Sequence, residues 1–253
     1  MSDVILMDVG NTSIHIGHAI NNKIINDFKI KSEEKIINKK LLVMINEKFN
    51  IDLINTKGNL VISSVVPSIT DSLINLSIKH LDKNPFVVNS KVKKTIEIKT
   101  DNPDEVGSDI ICASVMSKNT NDILIIDLGT AIKYIYTKYD VLSGVIIAPG
   151  IAMSIKSLNN NTALLPKIDI SIPENILGRN TIECIQSGLT YGIASQLEGM
   201  ISRLENKLKK RLKVILTGGD SKLISKILSH KHTLDQKLVL KGLLEIYNMN
   251  EEK

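Results

Sequence analysis

Hydrophobic and polar positions follow one order of elements twice along the chain. Val4 to Met7 is an apolar strand that ends at Asp8, Ser13 to Ile20 reads as a second strand, and Asn21-Asn22 turns the chain into a third near Ile24 to Ile30. Glu33 to Phe49 then has helical spacing, carried by Ile36, Ile37, Leu41, Val43 and Ile45. Leu60 to Val66 is another β-rich run, and Pro67 opens a helix over Ile69 to Leu81. From Ile123 the order begins again. Ile123 to Ile126 is a strand ending at Asp127, and Ile132 to Thr137 and Val141 to Ile147 continue as strands about a turn at Tyr139-Asp140. Pro149-Gly150 leads into a helix, Thr181 to Leu208 is one long periodic helix, and Val214 to Leu216 is a strand. Gly218-Gly219 breaks into a helix from Ser221, and Leu238 to Tyr247 closes the chain as a helix.

The two series share an Asp-x-Gly after an apolar strand, at Asp8-Val9-Gly10 and Asp127-Leu128-Gly129. A repeat of this length is a duplicated domain rather than a solenoid unit, and it divides the chain into 1–118 and 119–253. The class is α/β.

Composition narrows the function. The chain has 253 residues, 43% of them hydrophobic and 23% charged, which is globular rather than disordered. The longest uncharged stretch, Val141 to Ile155, contains Gly144, Pro149 and Gly150 and is too short and broken to span a bilayer. Asp3 and Asp8 flank the first apolar run, so no signal peptide is read there. Cys112 and Cys184 are the only cysteines, too few for a disulfide framework or a cysteine-rich zinc site. The expectation is a soluble, reduced, cytoplasmic protein with no membrane partner. Its net charge of +5 includes the clusters Lys91–Lys94 and Lys207–Arg211, read as solvated faces. Aromatic residues are 3% of the chain and Trp is absent, which leaves nucleic acid without stacking platforms. Small anionic substrates fit the mild positive balance.

Asp8-Val9-Gly10-Asn11-Thr12 is a suitable phosphate turn. Glycine lets backbone N–H groups approach an oxyanion, Asn11 and Thr12 add donors, and Asp8 can hold Mg²⁺ directly or through water. Asp127, Gly129 and Thr130 repeat it. Two ordinary hairpin turns would use the same residue types. Neither a P-loop nor a dinucleotide fingerprint is present. His15, His18, His80, His230 and His232 have no metal-ligand spacing, and His15 and His18 are read as facing the surface or a turn.

Several ordered motifs together resemble the type III pantothenate kinases, a branch of the actin-like, sugar-kinase and Hsp70 ATPase superfamily. They are Asp8-Val9-Gly10-Asn11-Thr12, Ser63-Ser64-Val65-Val66-Pro67, Asn102-Pro103-x-x-Val106-Gly107-x-Asp109 and Asp127-x-Gly129-Thr130-Ala131. Ala148-Pro149-Gly150, Gly178-Arg179-Asn180-Thr181, Ser187-Gly188, Thr217-Gly218-Gly219 and Leu238-x-Leu240-x-Gly242-Leu243 follow in order. The resemblance implies duplicated actin-like, ribonuclease H-like domains with mixed five-stranded sheets flanked by helices and an ATP cleft between them. It implies transfer of the γ-phosphoryl group of ATP to pantothenate, giving 4′-phosphopantothenate, the first step toward coenzyme A.

By the same resemblance, Asp8, Val9, Gly10, Asn11, Thr12, Ser13, Ile14, His15 and Thr130 take ATP, with Mg²⁺ at Asp8. Thr100, Gly107, Ser108, Asp109, Ile110 and Thr181 take pantothenate, with Thr181 reaching the site of a second subunit in a homodimer. Asp109 is the catalytic base; from its residues alone, without the motif, the preferred reading is a helix-start aspartate satisfying orphan N–H groups. Asp127 holds a monovalent cation, potassium or ammonium.

The resemblance departs at three places. Ile110 stands where the family usually has an arginine for the substrate carboxylate, Thr100 stands for a pocket tyrosine, and Lys133 for a small residue after Gly-Thr-Ala-x. These departures keep open two other functions, a catalytically weak homologue that binds ligand and regulates, and an actin-like kinase for another small alcohol. Strand alternation gives Asp127, Ala131 and Lys133 the same parity. Lys133 therefore either replaces part of the monovalent-cation requirement or is an exposed lysine reaching solvent.

Overall fold

The computed structural model describes residues 3–56, 58–118, 122–161 and 168–251. The first series runs β1 (Val4–Val9), β2 (Ser13–Ile20), β3 (Lys23–Lys31), α1 (Lys39–Phe49), β4 (Asn59–Ser64), α2 (Pro67–Leu81) and β5 (Phe86–Val87). A two-residue β6 (Glu97–Ile98) and α3 (Ser108–Val115) complete it. The second runs β7 (Ile123–Leu128), β8 (Ala131–Lys138), β9 (Val141–Pro149), α4 (Ile151–Asn161), α5 (Thr181–Leu208), β10 (Lys213–Thr217), α6 (Ser221–Ile224), β11 (His232–Leu234) and α7 (Leu238–Glu251). One sheet has the order β3-β2-β1-β4-β5 and the other β9-β8-β7-β10-β11, with β6 added beside β9. The first two strands of each series are antiparallel, and β4 and β10 are parallel to β1 and β7. The duplication is therefore one of topology, and β6 makes the second sheet six-stranded instead of five.

Two compact units follow from this order. One holds the chain through α3, residues 140–142 and α7; the other holds β7, β8, most of β9, and α4 through β11. The C-terminal helix thus belongs with the first unit.

In the first unit both sheet faces are covered. Ile5, Met7, Val9, Ile14, Ile16, Leu60 and Ile62 share a core with Leu41, Leu42 and Ile45 of α1 and Ile69 and Leu73 of α2. Strand alternation puts Leu6, Asp8, His15, Gly17 and Ser63 on the opposite face, against which α3 and α7 pack. That double cover corrects the reading of the histidines. His15 and His18 are 8% and 2% exposed. His15 Nε2 lies 2.7 Å from Asp27 Oδ2, and His18 Nε2 lies 2.7 Å from Asp3 Oδ1. The predicted helix over Glu33 to Phe49 is also interrupted. Residues 34–36 form a 3₁₀ turn and α1 starts after Asn38, whose Oδ1 accepts from the Lys40 N–H at 2.8 Å. A capping side chain at that point ends one helix pattern and begins another.

The hairpin turns are where they were expected. Asn21 and Asn22 have φ of 51° and 61°, and Tyr139 and Asp140 have 48° and 60°. Two consecutive left-handed residues match the right-handed twist of the flanking strands, and Asn and Asp tolerate them better than most residues. Helix α7 approaches α3 through Gly242, where a Cβ would fall 1.8 Å from the Cys112 carbonyl oxygen.

In the second unit all six residues of β7 are buried, as expected of a central strand covered on both faces. Leu124, Ile126 and Leu128 pack with Ile132 and Tyr134 of β8 and with Leu189, Ile193, Leu197 and Ile201 of α5. The 28 residues of α5 span about 42 Å. Buried Glu205 fixes its C-terminal end, accepting from Leu212 N at 2.9 Å and Arg211 Nη1 at 2.7 Å, with His230 Nε2 at 3.4 Å. Lys210 donates to Asp122 at 2.7 Å. The basic run 207–211 is therefore partly an anchoring segment rather than only a solvated face. Among the described residues no helix is long and apolar enough to cross a membrane.

Candidate active site

The first phosphate turn follows β1. Gly10 N donates to Ser13 O at 3.0 Å, and Ser32 Oγ donates to Gly10 O at 2.5 Å, which fixes the turn from β3's far end. Asn11, Thr12 and Ser13 are exposed, whereas the side chains of Val9 and Ile14 are in the core and can offer only backbone. Asp8 stands at the end of β1 with His15 as its cross-strand neighbour on one side and Ser63 on the other.

Ser63 joins this turn to the proposed base. Its hydroxyl donates to Ser108 Oγ at 3.0 Å, and Ser108 Oγ donates to Ser64 O at 3.0 Å. The first turn of α3 is thereby pinned to the end of β4, and Asp109 is the next residue. Asp109 Oδ1 accepts from Ile110 N at 2.8 Å, so the carboxylate sits at a helix N-terminus, where the macrodipole favours negative charge. A Cβ on Gly107 would come within 2.7 Å of that oxygen, so a side chain there would displace the carboxylate. Cys112 feels the charge of both carboxylates. Burial holds its thiol well above its usual range; Asp8 and, more weakly, Asp109 add to the rise, against a hydrogen bond with Ser63. Asp8 is thus linked to Ser63 across the strands, Ser63 to Ser108 by a hydrogen bond, and Ser108 to Asp109 by the chain.

The other expected substrate residues divide. Thr100 Oγ1 is buried with no hydrogen-bond partner, a polar atom suited to a ligand. Ile110 is 8% exposed and points into the interior, so its side chain brings no charge to a substrate. Thr181 is exposed in the first turn of α5, behind the Asn180 cap whose Oδ1 accepts from Glu183 N at 2.9 Å. Gly178 packs so tightly on that turn that a Cβ would fall 2.4 Å from Cys184 N.

The second turn is built from three strand ends of the second unit. Gly150 N donates to Thr130 O at 3.0 Å, and a Cβ on Gly150 would lie 2.1 Å from Gly129 O. Gly218, with φ +92°, lies against Asp127 and Leu128, and a Cβ there would come within 2.5 Å of Asp127 Oδ1. Only glycine allows this approach at that backbone angle. Lys133 is the direct cross-strand partner of Asp127, and its Nζ lies 2.6 Å from Asp127 Oδ2.

The donor sets can be judged against the expected ions. Mg²⁺ is held by one or two carboxylates with phosphate oxygens and water, so Asp8 beside the phosphate turn fits it. Among the described residues no three His, Cys, Asp or Glu side chains form a self-sufficient metal site. Asp127 does not fit a monovalent cation, because a second cation on Oδ2 would sit in contact with the Lys133 ammonium. Ser32 and Cys112 were not identified from sequence. Ser32 carries no motif, and Cys112 read as one apolar position in a helical run.

Comparison with known proteins decides the family. Residues 4–203 match type III pantothenate kinase. A type III pantothenate kinase of Acholeplasma laidlawii is 42% identical over 98% of this chain and 99% of its own. The chain belongs to the type III pantothenate kinase family. A second member, from a Sulfurihydrogenibium species, is 36% identical over 95% of this chain and 97% of its own. Among solved structures, the inorganic polyphosphate/ATP-glucomannokinase of Arthrobacter is similar with a TM-score of 0.52 at 12% identity, over 98% of this chain and all of that one. An ethanolamine utilization protein of Carboxydothermus hydrogenoformans gives 0.55 at 11% identity, over 97% of this chain and 89% of that one. At those identities the likeness is one of fold, the duplicated actin-like, sugar-kinase architecture.

Proposed function

We propose that this enzyme phosphorylates pantothenate with ATP, as its family membership implies, and that the Asp8–Ser63–Ser108–Asp109 cluster carries the chemistry. The observation behind the assignment of residues is the serine bridge, which holds Ser108, the residue before Asp109, against Ser63 and Ser64, with Ser63 the cross-strand neighbour of Asp8. Gly10, Asn11, Thr12 and Ser13 and, in the second unit, Thr130 are assigned to ATP phosphates. Val9 and Ile14 act through backbone, and His15 orients Asp8's neighbourhood from β2. Bound Mg²⁺ would neutralise phosphate charge, with Asp8 as its protein ligand directly or through water.

In the transfer, the primary hydroxyl oxygen of pantothenate bonds to the γ-phosphorus while the bond from that phosphorus to the β–γ bridging oxygen breaks. ADP leaves, and the hydroxyl proton passes to Asp109. Anchoring through Oδ1 fixes the direction of that carboxylate, which a positioned base requires. Thr100, Gly107 and Ser108 are assigned to the acceptor. Thr181 is assigned to the acceptor of a second copy in a homodimer. The exposed apolar residues of the second unit favour that pairing: Ile176 is 63% and Leu177 81% exposed, close in sequence to Thr181.

A second reading, an uncharged small alcohol as acceptor, is favoured by the inward-facing Ile110. Incubation with ATP, Mg²⁺ and a panel of alcohols, followed by mass analysis, separates the two. Phosphopantothenate as the main product supports the first, and a different phosphate ester replaces it with the second.

A further inference from the structure

Asp127 and Lys133 are paired residues of the β7–β8 hairpin, two positions on either side of the Gly129–Thr130–Ala131 turn region. Their side chains are only 12% and 18% exposed, so the lysine does not reach away into solvent. The ammonium contacts Asp127 Oδ2 at 2.6 Å, and Oδ1 lies against Gly218, where a Cβ would come within 2.5 Å of it. Leu128 O, next along the strand, accepts from Asp220 N at 3.0 Å, which ties the Gly218 loop to the same strand end. The carboxylate is thus enclosed, with one covalently tethered positive charge beside it.

We propose that the Lys133 ammonium is the resident cation of the second phosphate turn, so that this enzyme needs no potassium or ammonium ion at Asp127. The proposal rests on the kinase reading for its catalytic consequence, but not for the ion pair. An unneutralised aspartate one turn away from a polyphosphate would repel it, and a monovalent ion or a lysine cancels that charge equally. The tethered ammonium also has three N–H donors, against the undirected coordination of a dissolved ion. A small side chain at position 133 would leave Asp127 open to an ion from solution.

The test uses full-length wild-type protein and Lys133→Thr, with two readouts. The first is thallium(I), a potassium probe, followed by ²⁰⁵Tl NMR. The second is kcat/KM for ATP with pantothenate in sodium and in potassium. Wild type is expected to leave the thallium signal unbroadened and to work equally in the two salts. Lys133→Thr is expected to broaden it and to lose about tenfold or more in sodium, with recovery in potassium, the size of one charge-assisted contact. Potassium activation of wild type, or thallium binding by wild type that Asp127→Asn abolishes, would overturn the proposal. So would a folded Lys133→Thr that works equally in both salts. If Lys133→Thr does not fold, the wild-type measurements decide alone. Wild type that binds no thallium and phosphorylates no pantothenate would count against the kinase reading and leave the resident ammonium standing.

Discussion

The proposed role of Asp109 asks two things of one carboxylate. Its Oδ1 accepts from Ile110 N in the first turn of α3, which fixes the direction of the carboxylate. From the sequence the cap and the base looked like alternatives; in the fold they are compatible, because a carboxylate that accepts from the helix start uses one oxygen and leaves the other for a proton. Asp109→Asn keeps the cap acceptor and removes the base. It is expected to fold normally, with an unchanged melting temperature, and to lose ~10²–10⁴-fold in kcat. Glu205 is a purely structural case. Burial raises its carboxyl, but Leu212 N–H, Arg211 and His230 outweigh burial and hold it below the ordinary value of 4.5. A carboxylate lowered on folding stabilises the native state above its unfolded value, and that contribution disappears as pH falls through the folded one. Thermal melts of wild type and Glu205→Gln should therefore differ at neutral pH and converge as pH drops below about 4.5. Neither Glu205 nor the buried His15 and His18 were legible, since their partners at Leu212, Asp27 and Asp3 are supplied by folding.

At the scale of elements, local chemistry was readable wherever a short stretch determines its own backbone. Asn21-Asn22 and Tyr139-Asp140 gave both hairpins, Pro67 gave the start of α2, and the periodicity from Thr181 gave the start of α5 at its observed residue. The reading failed where a side chain acts against the pattern, as Asn38 does within the apolar spacing of 33–49. It also missed β5, β6 and β11, two or three residues long, whose strand character comes from pairing to β4, β9 and β10 rather than from their own sequence. Gly242 is the clearest link between an element and the site. Its missing Cβ lets α7 press on the Cys112 carbonyl of α3, the helix that carries Ser108 and Asp109. Gly242→Ala must push the two helices apart, at a cost of about 1–3 kcal/mol. A lowered denaturation midpoint together with a reduced kcat in the still-folded fraction is expected. An unchanged kcat would separate the helix contact from the positioning of Asp109.

For the whole molecule, the duplication was visible as two Asp-x-Gly strand ends in register, and the two strand orders agree. The return of α7 to the first unit was not visible, because a C-terminal helix carries no mark of which sheet it will cover. The apolar residues left exposed near Thr181 lead to an expected homodimer. Light scattering at micromolar concentration should give about twice the 28.0 kDa chain mass, and a fully active monomer would remove Thr181 from a shared site. On our proposal this chain transfers a phosphoryl group from ATP to pantothenate with Asp8 at the phosphates and Asp109 at the acceptor. Its most direct test is ³¹P NMR of the purified protein with ATP, Mg²⁺ and pantothenate, run beside Asp109→Asn. ADP and 4′-phosphopantothenate are expected in equal amounts with wild type, and almost none of either with the variant. ADP formed without the phosphate ester, or ester formed as fast by Asp109→Asn, would contradict it.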